Sequence, residues 1–227
     1  MGENSNIEIR VCGANVKDTK SERLLGLTVN NELSWSDYLH GEQWRTEDNQ
    51  IGLIPQLSQR VGILSKFANL MPKHRFKLFC NGLFHSKLSY CLQVFSHVWN
   101  IPNLDQEERR FYAFTRGDNR KLQVLQNKVM RLKTNLPFRT PTEQLLRATG
   151  DLSVQQLTAY SILVTAHKQI AANQPQYLAS KLQLRPRPED QTLPPCNDNP
   201  LRSTTDPKIF KPEVKKWVQQ NVAPKPG

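Results

Sequence analysis

Long apolar runs, metal-ligand spacings and catalytic signatures are all missing from this chain. In 227 residues no stretch approaches the ~18 consecutive apolar residues of a membrane-crossing helix. The N-terminus, Met1-Gly2-Glu3-Asn4-Ser5-Asn6, has neither the basic region nor the apolar core of a secretory signal. Asn6 stands where a myristoylation pattern starting at Gly2 needs a hydroxyl residue. No membrane partner is expected, and the location is expected to be intracellular, nuclear or cytoplasmic. Cys12, Cys80, Cys91 and Cys196 lie far apart, too few for a disulfide scaffold and without the C-x₂₋₄-C spacing of a zinc site. They read as reduced, mostly packed thiols.

Chemistry is equally hard to find. There is no G-x-G-x-x-G, Walker loop, H-E-x-x-H or G-x-S-x-G. His40, His74, His85, His97 and His167 show no ligand pairing and read as surface or helix-side residues. A two-metal polymerase or nuclease needs several convergent carboxylates. The middle of the chain offers only Asp105, Glu107, Glu108, Asp118 and Glu143, and no Asp-Asp pair occurs anywhere. The nearest approaches, Glu47-Asp48 and Glu189-Asp190, lie in polar, loop-like sequence. No catalytic residue, metal or cofactor is expected.

What is present is positive charge, unevenly placed. Lys and Arg number 31 against 20 Asp and Glu, a net +11. Residues 1–50 carry a balance of −4, residues 51–150 one of +11 and residues 151–227 one of +4. A basic block on a folded element attracts polyanions, although a basic helix face is often only a solvated one.

The pattern along the chain changes twice. Ile7-Glu8-Ile9-Arg10-Val11 alternates as a strand, Cys12-Gly13-Ala14-Asn15 suits a turn, and Leu24-Leu25-Gly26-Leu27-Thr28-Val29 forms a second run closed by Asn30-Asn31. They suggest one antiparallel ribbon, which needs other elements to cover it. Residues 41–50 read as a loop or a frayed helix start. From Ile51 the period becomes helical, with Leu53, Leu57, Val61, Leu64, Phe67 and Ala68 on one stripe. Pro72 opens a helix with Phe76, Phe79, Cys80, Leu83 and Phe84 on its apolar face, and a long buried helix is expected from Ser86 to Trp99. Residues 100–119 break the pattern, and Arg116-Gly117-Asp118 reads as a turn.

Arg120 to Thr134 is a basic amphipathic helix. Leu122, Leu125, Val129 and Leu132 form its stripe, and Arg120, Lys121, Lys128, Arg131 and Lys133 fill much of the rest. Thr140-Pro141-Thr142-Glu143 and Ser153-Val154-Gln155-Gln156 are capping boxes, Gly150 ends the helix between them, and Leu152 and Leu157 form a hydrophobic staple. The last helix of the group runs to about Ala172, with Leu157, Tyr160, Ile162, Leu163 and Ala166 available for burial. Beyond Asn173 lie ten of the fifteen prolines, with Arg185-Pro186-Arg187-Pro188 and Pro194-Pro195 favouring extended backbone. That segment has little apolar material for a core and reads as mostly disordered, apart from a short helix over Glu213–Val222 carrying Trp217. The expected fold is mainly α with a short N-terminal antiparallel β ribbon (α+β), made of the ribbon over 1–40, a helical bundle over 51–172 and a Pro-rich disordered tail over 173–227.

The order of motifs is more telling than any one of them. Glu22-Arg23-Leu24-Leu25-Gly26-Leu27-Thr28-Val29, followed by Leu33-Ser34-Trp35, resembles a stretch of the reverse transcriptases of non-LTR (LINE-type, jockey-like) retrotransposons, just after their catalytic palm motif. Ser86-Lys87-Leu88-Ser89-Tyr90 with Trp99 is similar to that family's helix before a tryptophan. Leu122-Gln123-Val124-Leu125-Gln126-Asn127-Lys128 with Arg131, then Thr140-Pro141-Thr142-Glu143-Gln144-Leu145-Leu146 and Leu152-Ser153-Val154-Gln155-Gln156-Leu157, resemble its later helices. The likeness covers roughly residues 7–172.

The resemblance implies the end of a palm followed by a helical thumb that cradles a template–primer duplex. The family's catalytic aspartates would lie upstream of Ile7, so no residue here inherits a polymerase role, and Mg²⁺ is expected only with the missing palm. The partner implied is an RNA–DNA or other nucleic-acid duplex, contacted by Lys73, Lys77, Arg120, Lys121, Lys128, Arg131 and Lys133. Two other readings stay open: a helical protein-interaction module using its Pro-rich tail, and a non-functional retrotransposon relic.

Overall fold

The computed structural model describes residues 9–12, 14–16, 19, 21–31, 34–41, 51–96, 116–172, 175–179 and 207–221. Among these the protein is mainly helical, with antiparallel β structure confined to the N-terminal part. The strands pair locally. β1 (Ile9–Val11) pairs with β2 (Ala14–Val16), and β3 (Ser21–Leu24) pairs with β4 (Leu27–Asn30). The expected single ribbon is therefore two successive hairpins, and the apolar run from Leu24 to Val29 is split by a turn. Leu25 (φ 50°) and Gly26 (φ 83°) both take positive φ, as a two-residue hairpin turn matching the strands' right-handed twist requires.

The second hairpin is covered from two sides. Leu27 packs against the main core, and the Tyr90 hydroxyl donates to the Leu25 carbonyl at 2.6 Å. Asn30 then turns the chain into α1 (Ser36–His40): its side chain accepts from the Ser34 amide at 2.8 Å and donates to Asp37 Oδ2 at 3.1 Å. Residues 42–50 lie outside the described set.

The core forms where three long helical segments meet. α2 (Leu53–Phe67) buries Leu53, Leu57, Val61 and Leu64 of the predicted stripe, whereas Phe67 at its end is exposed and Ala68, just past it, is partly buried. α3 (Lys73–Cys80) runs through a π-helical turn (Asn81–His85) into α4 (Ser86–Ser89), burying Phe76, Cys80, Phe84 and Leu88 at steps of four. The helix expected to continue to Trp99 breaks instead. Cys91 sits in the left-handed region (φ 53°), and α5 (Leu92–Phe95) follows at a new angle, with the Phe95 ring tilted against Tyr38 at 5.3 Å between centroids. Residues 97–115 lie outside the described set.

α6 (Arg116–Thr134) closes the core with Leu122, Leu125 and Val129. Arg116-Gly117-Asp118 is not a turn but the first turn of this helix. Asp118 belongs there because a carboxylate near a helix N-terminus is stabilised by the exposed amides, and it also bonds His40 Nε2 at 2.9 Å. α7 (Thr142–Thr149) starts after Pro141 without a side-chain cap, so the box expected at Thr140 is not formed; α6 instead holds the Thr140 carbonyl through Arg131 and the Thr142 hydroxyl through Asn127. Gly150 ends it at φ 66°, as expected. The second capping box is formed: Ser153 Oγ accepts from the Gln156 amide at 3.2 Å, and Gln156 Oε1 accepts from the Ser153 amide at 3.0 Å. α8 (Val154–Ala172) follows, with Leu157 beside Leu152 as the staple required.

The C-terminal region adds to the core more than its composition suggests. α9 (Gln176–Ala179) is short, and residues 180–206, with five of the fifteen prolines, lie outside the described set. α10 (Pro207–Asn221) begins six residues before the expected helix, with Pro212 inside it. It packs on α8, and Val214 and Val218 are fully buried against Leu152, Leu163 and Trp217. Removing two such side chains from water stabilises the docking by roughly 3–5 kcal/mol. Val218→Asp is expected to abolish amide-exchange protection over 207–221 while α2 and α6 stay protected. Unchanged protection of α10 would show that the docking does not depend on this contact.

Candidate nucleic-acid interface

The site is best built from α6 outward. At 100° per residue, Leu122, Leu125, Gln126, Val129, Met130 and Lys133 fall on one side of this helix, and all are buried. Arg120, Lys121, Val124, Lys128 and Arg131 fall within an arc of about 100° on the other side, spread over about 16 Å of axis. Arg120, Lys121, Val124 and Lys128 are exposed, and Arg131 is half-buried. Asp118, the helix's single acidic residue, is turned inward and buried. The outward face of α6 is therefore cationic around one apolar side chain.

The predicted basic residues are not equivalent. Lys128 and Arg120 on α6, and Lys73 and Lys77 on α3, are exposed and make no ion pair among the described residues. Lys121 lies 3.7 Å from Asp118 Oδ1. Arg131 donates through Nη2 to the Thr140 carbonyl at 3.2 Å and stacks over the Phe138 ring at 5.2 Å. α3 packs directly on α6, which brings the two groups onto adjoining helices.

Lys133 is the correction. It was expected to reach phosphate, yet it is buried and committed. Its ammonium donates to Asp151 Oδ2 at 2.9 Å, His85 Nε2 at 2.9 Å and Asn81 Oδ1 at 3.2 Å, so its three protons meet three acceptors. The physical reason is helical phase: Lys133 follows Val129 by four and Met130 by three, at the centre of the inward face. Asn81 and His85 bound the π-helical turn, and single π turns inside α-helices recur at functional sites.

This cluster joins rather than catalyses. Burial pushes the His85 pKa down to about 4, helped by the Lys133 charge and opposed by Asp151. His85 is thus neutral, with Nε2 accepting from Lys133 and the proton on Nδ1. Burial pushes the neighbouring Cys80 thiol up to about 11, which leaves it protonated and unreactive at neutral pH. His85 and His167, read as surface or helix-side residues, do lie on helical segments and are withdrawn from solvent, His167 to 7% exposure. Among the described residues no group of His, Cys, Asp or Glu is placed to hold a metal, and no helix is long and apolar enough to cross a membrane.

Comparison with protein-family models, curated proteins and solved structures finds no match. The geometry therefore stands by itself.

Removing one partner of a buried ion pair costs about 3–5 kcal/mol, because the other is left uncompensated. Lys133→Met is expected to lower stability by that order in urea unfolding, whereas Lys128→Met changes it by less than about 0.5 kcal/mol. Equal effects would contradict the division between the two faces. Acid should also act through His85. The unfolded imidazole takes a proton near pH 6.5 and the folded one only near pH 4. Between those values the unfolded state holds more protons, so stability falls as pH falls. The loss is about 3 kcal/mol over the window, and the pH slope flattens in His85→Gln. An unchanged slope in that variant would place the acid sensitivity elsewhere.

Proposed function

We propose that this chain binds nucleic-acid duplexes, an RNA–DNA hybrid foremost, through the outward face of α6 with Lys73 and Lys77 of α3, and carries out no catalysis itself. The reading includes the origin suggested by the motif order: a fragment derived from the post-palm and thumb part of a non-LTR retrotransposon reverse transcriptase. The observation that carries it is the segregation on α6. Arg120, Lys121, Lys128 and Arg131 share one arc, while the helix's carboxylate and Lys133 face inward. Cations spaced along a straight helix suit a phosphate backbone, and they read charge rather than base identity. The interaction-module reading rests on the proline-rich sequence between 180 and 206, which lies outside the described residues.

Fluorescence anisotropy with a labelled RNA–DNA hybrid tests the proposal. Log affinity against log salt should fall with a slope of about −3.5 to −5.5, as expected for four to six phosphate contacts. Lys128→Gln and Arg120→Gln should each reduce that slope by about one, for all sequences alike. Lys168→Gln, on α8, should leave it unchanged. No binding at low salt, or binding indifferent to added salt, contradicts the proposal.

A further inference from the structure

A second cluster of cations lies away from α6. A cavity of about 290 Å³ opens between the β3–β4 hairpin, α1, the start of α2 and α4, with Arg23, Tyr38, Asp37, Gln56 and Lys87 on its wall. We infer that this cavity binds a small phosphate monoester that also carries a hydroxyl group, with the phosphate held by Arg23 and Lys87 and the hydroxyl by Asp37.

Two observations carry the inference. First, Arg23 and Lys87 face one cavity, and among the described residues neither is in an ion pair. Lys87 is half-buried, and burial together with the nearby Arg60 and Arg23 charges lowers its pKa. Like charges placed near one another raise each other's energy, and a dianion between them relieves it. Arg60 is itself tied to the Leu83 carbonyl at 2.6 Å, so it supports the field without entering the cavity.

Second, the cavity is polarised. Asp37 stands on its wall with Oδ2 held by Asn30 at 3.1 Å, and a carboxylate accepts more than one donor. An inorganic anion gains nothing from Asp37, but a sugar hydroxyl does. The volume lies at the small end of ligand sites, which favours a phosphorylated sugar over a larger molecule.

Isothermal titration calorimetry of the full chain with ribose 5-phosphate, inorganic phosphate and ribose tests this site. Ribose 5-phosphate should bind saturably at one site, inorganic phosphate several-fold more weakly, and ribose not at all. Arg23→Gln and Lys87→Gln should each weaken the ester about tenfold or more, the effect of one charged hydrogen bond. Lys128→Gln should leave ester binding unchanged, which separates this site from the duplex-binding face. Circular dichroism shows whether the variants remain folded, and Lys87→Arg should restore much of the affinity. Absence of saturable binding overturns the inference, as does equal affinity for phosphate and ester, or full affinity in folded Lys87→Gln. Loss of hybrid affinity in Arg23→Gln or Lys87→Gln without any ester binding would assign these cations to the polymer instead.

Discussion

An ammonium buried away from water is tolerated only when every proton has an acceptor and its charge has a counter-charge. Lys133 meets both conditions, through Asp151, His85 and Asn81. They come from two separate places: Asn81 and His85 from the π-helical turn after α3, and Asp151 from the link between α7 and α8. The cluster therefore fixes how α6 lies against both neighbours. It also explains why the turn over Asn81–His85 is widened: an unbroken α-helix would present Asn81 and His85 to α6 at a different angle. The apolar contacts of Phe84, Leu88, Leu122 and Val129 supply most of the burial around it. Apolar contacts tolerate sliding, whereas three charge-assisted bonds at fixed distances do not.

Fixing the phase of α6 has a functional consequence. Once Lys133 and Asp118 face inward, Arg120, Lys121, Lys128 and Arg131 must face outward together. The same helix thus supplies the core with leucines and the surface with cations. Glutamine and asparagine mark the boundary: Gln126 donates to the Leu152 carbonyl at 2.7 Å, and Asn127 donates to Thr142 Oγ1 at 2.9 Å. These bonds position α7 and α8 beside α6 without drawing on its basic residues. The cations around the hairpin cavity form a separate field, since they belong to β3 and α4.

Much of the fold was legible in the sequence because the long helices are amphipathic. The first four positions of the stripe on α2 and the second capping box were read from spacing alone and are found in place. Features set by tertiary contacts were not legible. The break at Cys91 needs a left-handed residue that no local signal announces, and the segment before α7 is held by α6 through the Thr140 carbonyl and the Thr142 hydroxyl rather than by the expected box. α10 was underestimated because composition describes an average, while two valines one turn apart suffice to dock a helix. At the candidate site, six of the seven predicted residues are placed on or near the surface, and Lys133 is not. The signal for it was present: it continues the Leu122, Leu125, Val129 stripe by one step. Residue type outweighed phase in reading it as a surface contact. Asp151 and the cavity around Tyr38 had no sequence signal, since their partners are distant in the chain.

Lysine-specific acylation followed by mass spectrometry, with and without a bound RNA–DNA hybrid, tests the division between the two faces of α6 most directly. The account predicts that Lys121 and Lys128 react readily in the free protein and are shielded by the hybrid, while Lys133 reacts only after unfolding. Rapid labelling of Lys133 in the folded chain, or unchanged labelling of Lys121 and Lys128 at saturating hybrid, would contradict it.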